Sequence, residues 1–465
     1  MAEKTAGELL KEELFFNSKN GLKDMSDEER AEMDEFCEAY KSFLDKAKTE
    51  REAVTASVKI AKGFGFEPFD PAKKYVAGDR YYVNNRGKSV AFVVVGKESV
   101  DKGMQITAAH IDSPRLDLKP NPLYEDTDMA LFKTHYYGGI KKYQWTTIPL
   151  ALHGVFAKKD GSVINVNIGE DENDPCFVVT DLLPHLAQEQ SKRTLSDGIR
   201  GEELNVLVGS LPFKDDKASE LVKLNVLKFL NEKYGVTEAD FLSAELEAVP
   251  AVKARDIGFD RGLIGAYGHD DRVCAFPALM AICRVENPEK TAICVLADKE
   301  ETGSDGNTGL ASDFLRFVVR DLAENQGVDY TVALRNSKCL SADVNAGMDP
   351  TFKDVMESRN AAKLNHGAVI TKYTGARGKS GTSDASAEFV AYVRNMLDNA
   401  GIVWQTGELG KVDLGGGGTV AKYVANMGVD VVDLGVPVLS MHAPFEVVAK
   451  LDIYATYRTM LEFCK

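Results

Sequence analysis

The 465-residue chain has no apolar run near the ~18 residues that a membrane-spanning helix requires, and Met1 to Leu10 carry charges where a signal peptide would be apolar. Membrane partners and an export leader are therefore not expected. Its seven cysteines include no Cys-x-x-Cys pair, which speaks against metal ribbons and thioredoxin-type redox sites and leaves reduced, mostly buried thiols. Positive charge is in deficit: 56 Lys and Arg stand against 71 Asp and Glu, for a net charge of −15. A surface of that sign repels a polyanion, so nucleic acid is not expected as a partner. There is no Gly-x-Ser-x-Gly elbow and no cysteine in a nucleophile's context, which removes support for a covalent acyl-enzyme. Repeats and low-complexity tracts are absent too. What remains is a cytoplasmic, enzyme-sized chain, 44% hydrophobic, with room for two or three domains.

The chain opens its first strong amphipathic pattern at Ser26, whose spacing to Glu29 suits a capping box, and the pattern runs to Lys48 with Met33, Phe36, Cys37, Tyr40, Phe43 and Leu44 on one face. The runs beginning at Ser89 and Met104 are continuously apolar, as strands covered on both sides are. After Asp112 the texture changes. A hairpin turning at Asp160-Gly161 and a helix from Ser219 to Tyr234 lie in a β-rich stretch that ends near Val249. From Gly258 an α/β rhythm returns: helix 272–284, strand 291–297, strand 330–334, helix 385–399, strand 429–434 and helix 451–464. The expected fold is thus α/β, a sandwiched mixed sheet interrupted by an inserted β-rich domain.

Ligands in such sheets collect at the carboxyl ends of strands, and five polar segments follow strand-like runs in that way, at His110, His269, Lys299, Ser341 and Ser440. They offer His110, Asp270, Glu301, Asp343 and His442, an imidazole and carboxylate set suited to zinc, cobalt or manganese. Three ligand carboxylates and a hydroxide would balance two divalent cations, whereas without metal such a cluster would have strongly raised pKa values. The adjacent glutamates then divide two tasks. Glu301 is the ligand, and Glu300 is the general base that takes a proton from water made acidic by the cation and passes it to the leaving amine. Asp112, two residues beyond His110, is placed to accept the other ring N–H and fix the imidazole.

The segments HIDSP, HDDRV, DKEETGS, SADVNAGMDP and VPVLSMHAPFE occur in an order that resembles the aspartyl aminopeptidases, dinuclear zinc exopeptidases. YGGI at Tyr137, LPHLAQ at Leu183 and the run ending in LGVPVLSMH extend the resemblance over nearly the whole chain. It implies a discontinuous catalytic domain of zinc-exopeptidase type (1–113 and 255–465) and an inserted dimerisation domain (114–254). It implies one zinc on His110, Asp270 and Asp343 and another on Asp270, Glu301 and His442, with Asp270 bridging. Two divalent ions per chain are expected, zinc first, cobalt or manganese next. The implied substrate is a peptide with a free N-terminus, and the implied assembly is a homo-oligomer of dimers forming a tetrahedral dodecamer. His185, in the insert, is expected to stabilise the oxyanion in a neighbouring subunit's site.

Two departures bear on this. Asp270-Asp271-Arg272 stands where the family more often has Asp-Asn-Leu, a form closer to related tetrahedral aminopeptidases. The run from Thr371 to Asp384 also differs, keeping Arg377 in register and leaving Lys372, Arg377 and Lys379 as cations for an acidic first residue, so acidic and broad specificity both stand. A phosphate loop at Arg377-Gly378-Lys379-Ser380 fails because Tyr373 sits where glycine is required. A dinucleotide fingerprint over Gly416, Gly418 and Ala421 has a poor preceding strand and too little chain after it, so contact with substrate backbone or close packing explains these glycines better. The alternative activities are a related dinuclear deacylase or carboxypeptidase, or a non-catalytic shell protein, the last expected to have lost Glu300 or a ligand.

Overall fold

The computed structural model describes residues 4–16 and 18–465. Its centre is a nine-stranded mixed sheet in the order Glu67–Pro68, Arg80–Asn85, Ser89–Val94, Ala292–Ala297, Gln105–His110, Lys338–Ser341, Asp430–Gly435, Ala368–Thr371, Trp404–Thr406. The four middle strands of this order, from Ala292–Ala297 to Asp430–Gly435, run parallel. Strands covered on both faces send alternate residues into two cores. Val90, Phe92 and Val94 enter one, with the helices Asp27–Leu44, His269–Arg284 and Lys450–Cys464. Ala91, Val93 and Val95 enter the other, with the helices Phe314–Gln326 and Ala421–Ala425.

A second sheet of seven antiparallel strands is drawn wholly from residues between Arg115 and Pro250 and has its own apolar core around Phe132, Trp145, Phe156 and Phe241. Its hairpin Leu150–Ala157 to Val163–Ile168 turns where expected, with Gly161 at φ +84° supplying the left-handed residue. A five-stranded sheet of short segments, Arg255–Ile257, Leu263–Ala266, Glu446–Ala449, Pro437–Leu439 and Asn345–Ala346, lies in the chain around the motif segments.

Most element boundaries fall within two or three residues of expectation. The segment expected as strand 330–334 is instead the helix Tyr330–Arg335. The β-branched Thr331 and Val332 suggested a strand, but the Asp329 carboxylate accepts the Thr331 N–H at 2.7 Å and caps a helix. The Ser26 hydroxyl accepts the Glu29 N–H at 3.1 Å, as its spacing indicated. The helices Ala6–Leu14, Glu50–Gly63 and Phe314–Gln326 were not anticipated.

Candidate metal centre and catalytic cleft

Three of the singled-out segments leave the carboxyl ends of parallel strands side by side. His110 ends its strand, Glu300 and Glu301 follow Ala292–Ala297, and Asp343 follows Lys338–Ser341. Asp270 stands at the start of the helix His269–Arg284, and His442 follows the short strand Pro437–Leu439. From these separate places six side chains converge. His110 Nε2 lies 3.1 Å from Asp270 Oδ1, 3.7 Å from Asp343 Oδ1 and 4.0 Å from Glu300 Oε2. His442 Nε2 lies 3.1 Å from Asp270 Oδ2 and 3.6 Å from Glu301 Oε1. Asp270 thus turns one oxygen to each imidazole.

Three triplets, His110–Asp270–Asp343, His110–Glu300–Glu301 and Asp270–Glu301–His442, each bring one donor atom per residue within 4.8 Å of one another, and the first and last share Asp270. His110 Nε2 and Glu301 Oε1 are buried and have no hydrogen-bond partner. Orphaned atoms facing a common centre are what a cation would satisfy, and the mixed nitrogen and oxygen donors suit zinc.

The electrostatics agree. Burial, with Asp343 and Asp270 adding repulsion, raises Glu300 to about 8. Burial and then the Asp270 charge push Glu301 well above the carboxylate range. Burial also lowers the charged form of His442, but the Asp270 and Glu301 carboxylates outweigh it and raise the imidazole to about 11. Among the described residues no lysine or arginine shares in these contacts, so protons or external cations are left to offset the charge.

Neighbouring groups hold the donors in place. The buried Asp112 lies with its carboxylate 3.3 Å and its backbone carbonyl 3.0 Å from His110 Nδ1, leaving Nε2 for the centre. The same carboxylate accepts the backbone N–H groups of Glu300 at 3.1 Å and Glu301 at 3.2 Å. Asp112 therefore orients the Glu300–Glu301 loop as well as the imidazole. Asp271 is buried, and its carboxylate accepts the His110 backbone N–H at 3.3 Å. Arg272, also buried, donates to Ser113 Oγ at 2.8 Å and the Lys48 carbonyl at 2.9 Å, so the Asp-Asp-Arg form packs the floor beneath the centre.

Glu446, the last residue of VPVLSMHAPFE, also belongs to the site, which the motif alone does not reveal. Its buried carboxylate accepts the N–H of His442 at 2.7 Å and of Asp270 at 3.1 Å, clamping together two loops that each carry a donor. The available signal was an acid placed at the head of an apolar strand, where an unpaired carboxylate is costly.

The centre opens into a cleft of about 560 Å³ lined also by Val344, Tyr373, Arg377, Leu409, Met441 and the Gly415–Gly418 run. Gly416, at φ +121°, pairs with Ala376, and a Cβ there would meet the Ala376 Cα at 2.7 Å. Gly415 and Gly416 thus serve close packing at the rim of the cleft, whereas a Cβ on Gly418 would make only an ordinary contact, 3.5 Å from the Gly381 carbonyl oxygen. Of the three loop cations, Arg377 lines the cleft, whereas Lys372 donates to the Ala385 carbonyl at 2.8 Å. Lys379 is exposed and absent from the lining. His185 sits in an exposed turn, Pro184–Leu186, and does not line the cleft of its own chain.

The comparisons with known proteins point one way. Residues 43–464 match the family model "Aminopeptidase I zinc metalloprotease (M18)". The "Probable M18 family aminopeptidase 1" of Clostridium acetobutylicum is 50% identical over 453 residues, covering 96% of this chain and 97% of its own. The crystal structure of an M18-family aminopeptidase from Thermotoga maritima superposes with a TM-score of 0.92 at 46% identity, over 97% of this chain and all of that one. That of aminopeptidase I from Borrelia burgdorferi gives 0.82 at 40% identity, over 96% of this chain and 99% of its own. The chain belongs to the M18 family of zinc metalloproteases and is a metalloaminopeptidase.

Proposed function

We propose that His110, Asp270 and Asp343 hold one divalent cation and Asp270, Glu301 and His442 a second, zinc in both, with cobalt or manganese as substitutes. The observation that carries this reading is the doubly shared Asp270, one oxygen toward each imidazole. Bound there, the cations would polarise the scissile carbonyl and bring the acidity of water toward neutrality. Glu300 belongs to neither of those triplets yet lies 4.0 Å from His110 Nε2, so its carboxylate is free to accept a proton from a water at the centre and return it. It takes the proton of the attacking water on its carboxylate and delivers it to the leaving amine. Asp112 keeps the Glu300–Glu301 backbone in register while it does so.

The substrates are short peptides with a free N-terminus, whose α-amine is recognised beside the cations. Arg377 is the only lysine or arginine among the described lining residues and shares the walls with Asp384, Glu408 and Asp433. That balance supports a broad choice of first residue over acidic selectivity. Residues 114–254 form the dimerisation domain of a tetrahedral dodecamer, a reading supported by the exposed Leu182, Leu183, Leu186 and Leu195 around His185, which a partner would cover. His185 then assists the oxyanion of a neighbouring subunit. The compartment is the cytoplasm, a reading supported by seven free cysteines, six of them buried. Among the described residues no helix is long and apolar enough to cross a membrane.

Peptides beginning with Asp, Glu, Leu and Lys, each free and N-acetylated, test the reading with zinc, cobalt and manganese in parallel. Release of the first residue from the free forms alone is expected. Cleavage of the acetylated forms would mean that a free α-amine is not what the cleft recognises.

A further inference from the structure

The metal centre is built on the nine-stranded sheet, yet one of its walls comes from the other sheet. The strand Met129–Tyr137 of the seven-stranded sheet ends at the centre, and the turn that follows it, Gly138-Gly139, touches the donors. The Tyr137 hydroxyl donates to Asp112 Oδ2 at 2.8 Å, the oxygen that also accepts the Glu301 N–H. The Gly139 carbonyl lies 2.6 Å from His442 Nδ1. An imidazole that donates from Nδ1 to a carbonyl keeps Nε2 as its free lone pair, and Nε2 is the nitrogen that faces Asp270 and Glu301. Gly138 has φ +75°, and a Cβ on it would stand 3.0 Å from Glu301 Oε2 and 3.2 Å from Pro114. Only glycine lets the chain pass so close to that carboxylate.

The strap is anchored from behind. The Arg115 guanidinium lies 4.0 Å from the centroid of the Tyr137 ring, and Arg115 is itself fixed by Glu50 at 3.0 Å and Asp117 at 2.8 Å. A buried charge network thus holds the ring, the ring aims its hydroxyl, and the hydroxyl holds the carboxylate that organises His110, Glu300 and Glu301.

The geometry points to Tyr137, Gly138 and Gly139 as a positioning strap by which the β-rich insert sets the orientation of His442, Glu301 and the Glu300 loop within its own chain. This rests on the dinuclear reading above and adds to it a task for the insert that assembly does not explain. The insert orders the half of the centre made by Glu301 and His442, and Tyr137 acts through Asp112 rather than on substrate.

The test uses the full chain in its assembled state and the variant Tyr137→Phe, which removes one oxygen and leaves the ring on Arg115. The expected result is a kcat lowered by ~10–100-fold, the range for groups that orient ligands, with KM within about twofold and particle size unchanged. The readout besides activity is the visible absorption of the cobalt-loaded protein together with cobalt affinity from titration, and a shifted band or weaker binding is expected. Gly138→Ala, which presses on Glu301, is expected to weaken one of the two cobalt sites more than the other. A Tyr137→Phe protein with wild-type kcat, cobalt spectrum and cobalt affinity would overturn the strap, as would a change confined to KM. If Gly138→Ala does not fold, Tyr137→Phe decides alone. A wild-type chain that takes up no cobalt would instead overturn the dinuclear reading on which the strap rests.

Discussion

Two buried clusters of charge lie near each other in this molecule and are balanced in opposite ways. Around Arg115, the acids Glu50, Asp117 and Glu247 at 3.0, 2.8 and 3.4 Å are met by a guanidinium, and Lys88 adds an ammonium 3.3 Å from Glu50 and 3.0 Å from Glu245. Around Asp270, the acids Glu300, Glu301 and Asp343 are met by two imidazoles and by no lysine or arginine. The first cluster carries side-chain cations for most of its acids, Arg51 adding a third at Glu245, and the excess falls on Glu247, which burial drives upward against the pull of Arg115, with Glu50 adding to the rise. The second leaves a deficit of positive charge. Buried acids that meet guanidinium and ammonium groups of their own chain can hold the fold together, whereas acids that meet only imidazoles leave room for cations to do so.

The sharpest way to break this comparison is to remove the shared carboxylate. Asp270→Ala is expected to lose at least one cation per chain and all measurable peptidase activity. Two metals per chain by elemental analysis of that variant would mean that Asp270 does not bridge. Next in size is Glu300→Gln, which leaves intact both triplets that contain Asp270. Metal content should stay as in the wild type while kcat falls by ~10²–10⁴-fold, the span for a lost general base. Full turnover would remove Glu300 from that role. The cluster around Arg115 should respond in stability instead. Arg115→Met leaves Glu247 without its cation and Glu50 with Lys88 alone, and should cost ~3–5 kcal/mol in urea unfolding, as breaking a buried pair does. A loss below about 1 kcal/mol, the scale of an exposed pair, would mean the cluster is no scaffold.

The convergence of the donors was legible because each follows an abrupt change from apolar strand to polar loop, and parallel strands bring such ends together. His110, Glu301 and Asp343 are one such set. What was not legible depends on pairs of elements meeting in space. Glu446 matters because its two oxygens reach the backbones of Asp270 and His442, residues 176 and 4 positions away. Tyr137 matters because the second sheet happens to end beside Asp112, which no local pattern announces. The helix Tyr330–Arg335 was misread for a local reason: six residues are too few for periodicity to outvote β-branched composition, and the Asp329 cap settled it. The interruption after Asp112 was visible as a change from α/β rhythm to alternating strands, and the structure places there a sheet paired only within itself.

The most direct test is anomalous diffraction at the zinc edge from crystals of the zinc-loaded protein. Two peaks per chain are expected, one among His110, Asp270 and Asp343 and the other among Asp270, Glu301 and His442. A single peak, or none within reach of Asp270, would contradict a centre that two ions complete.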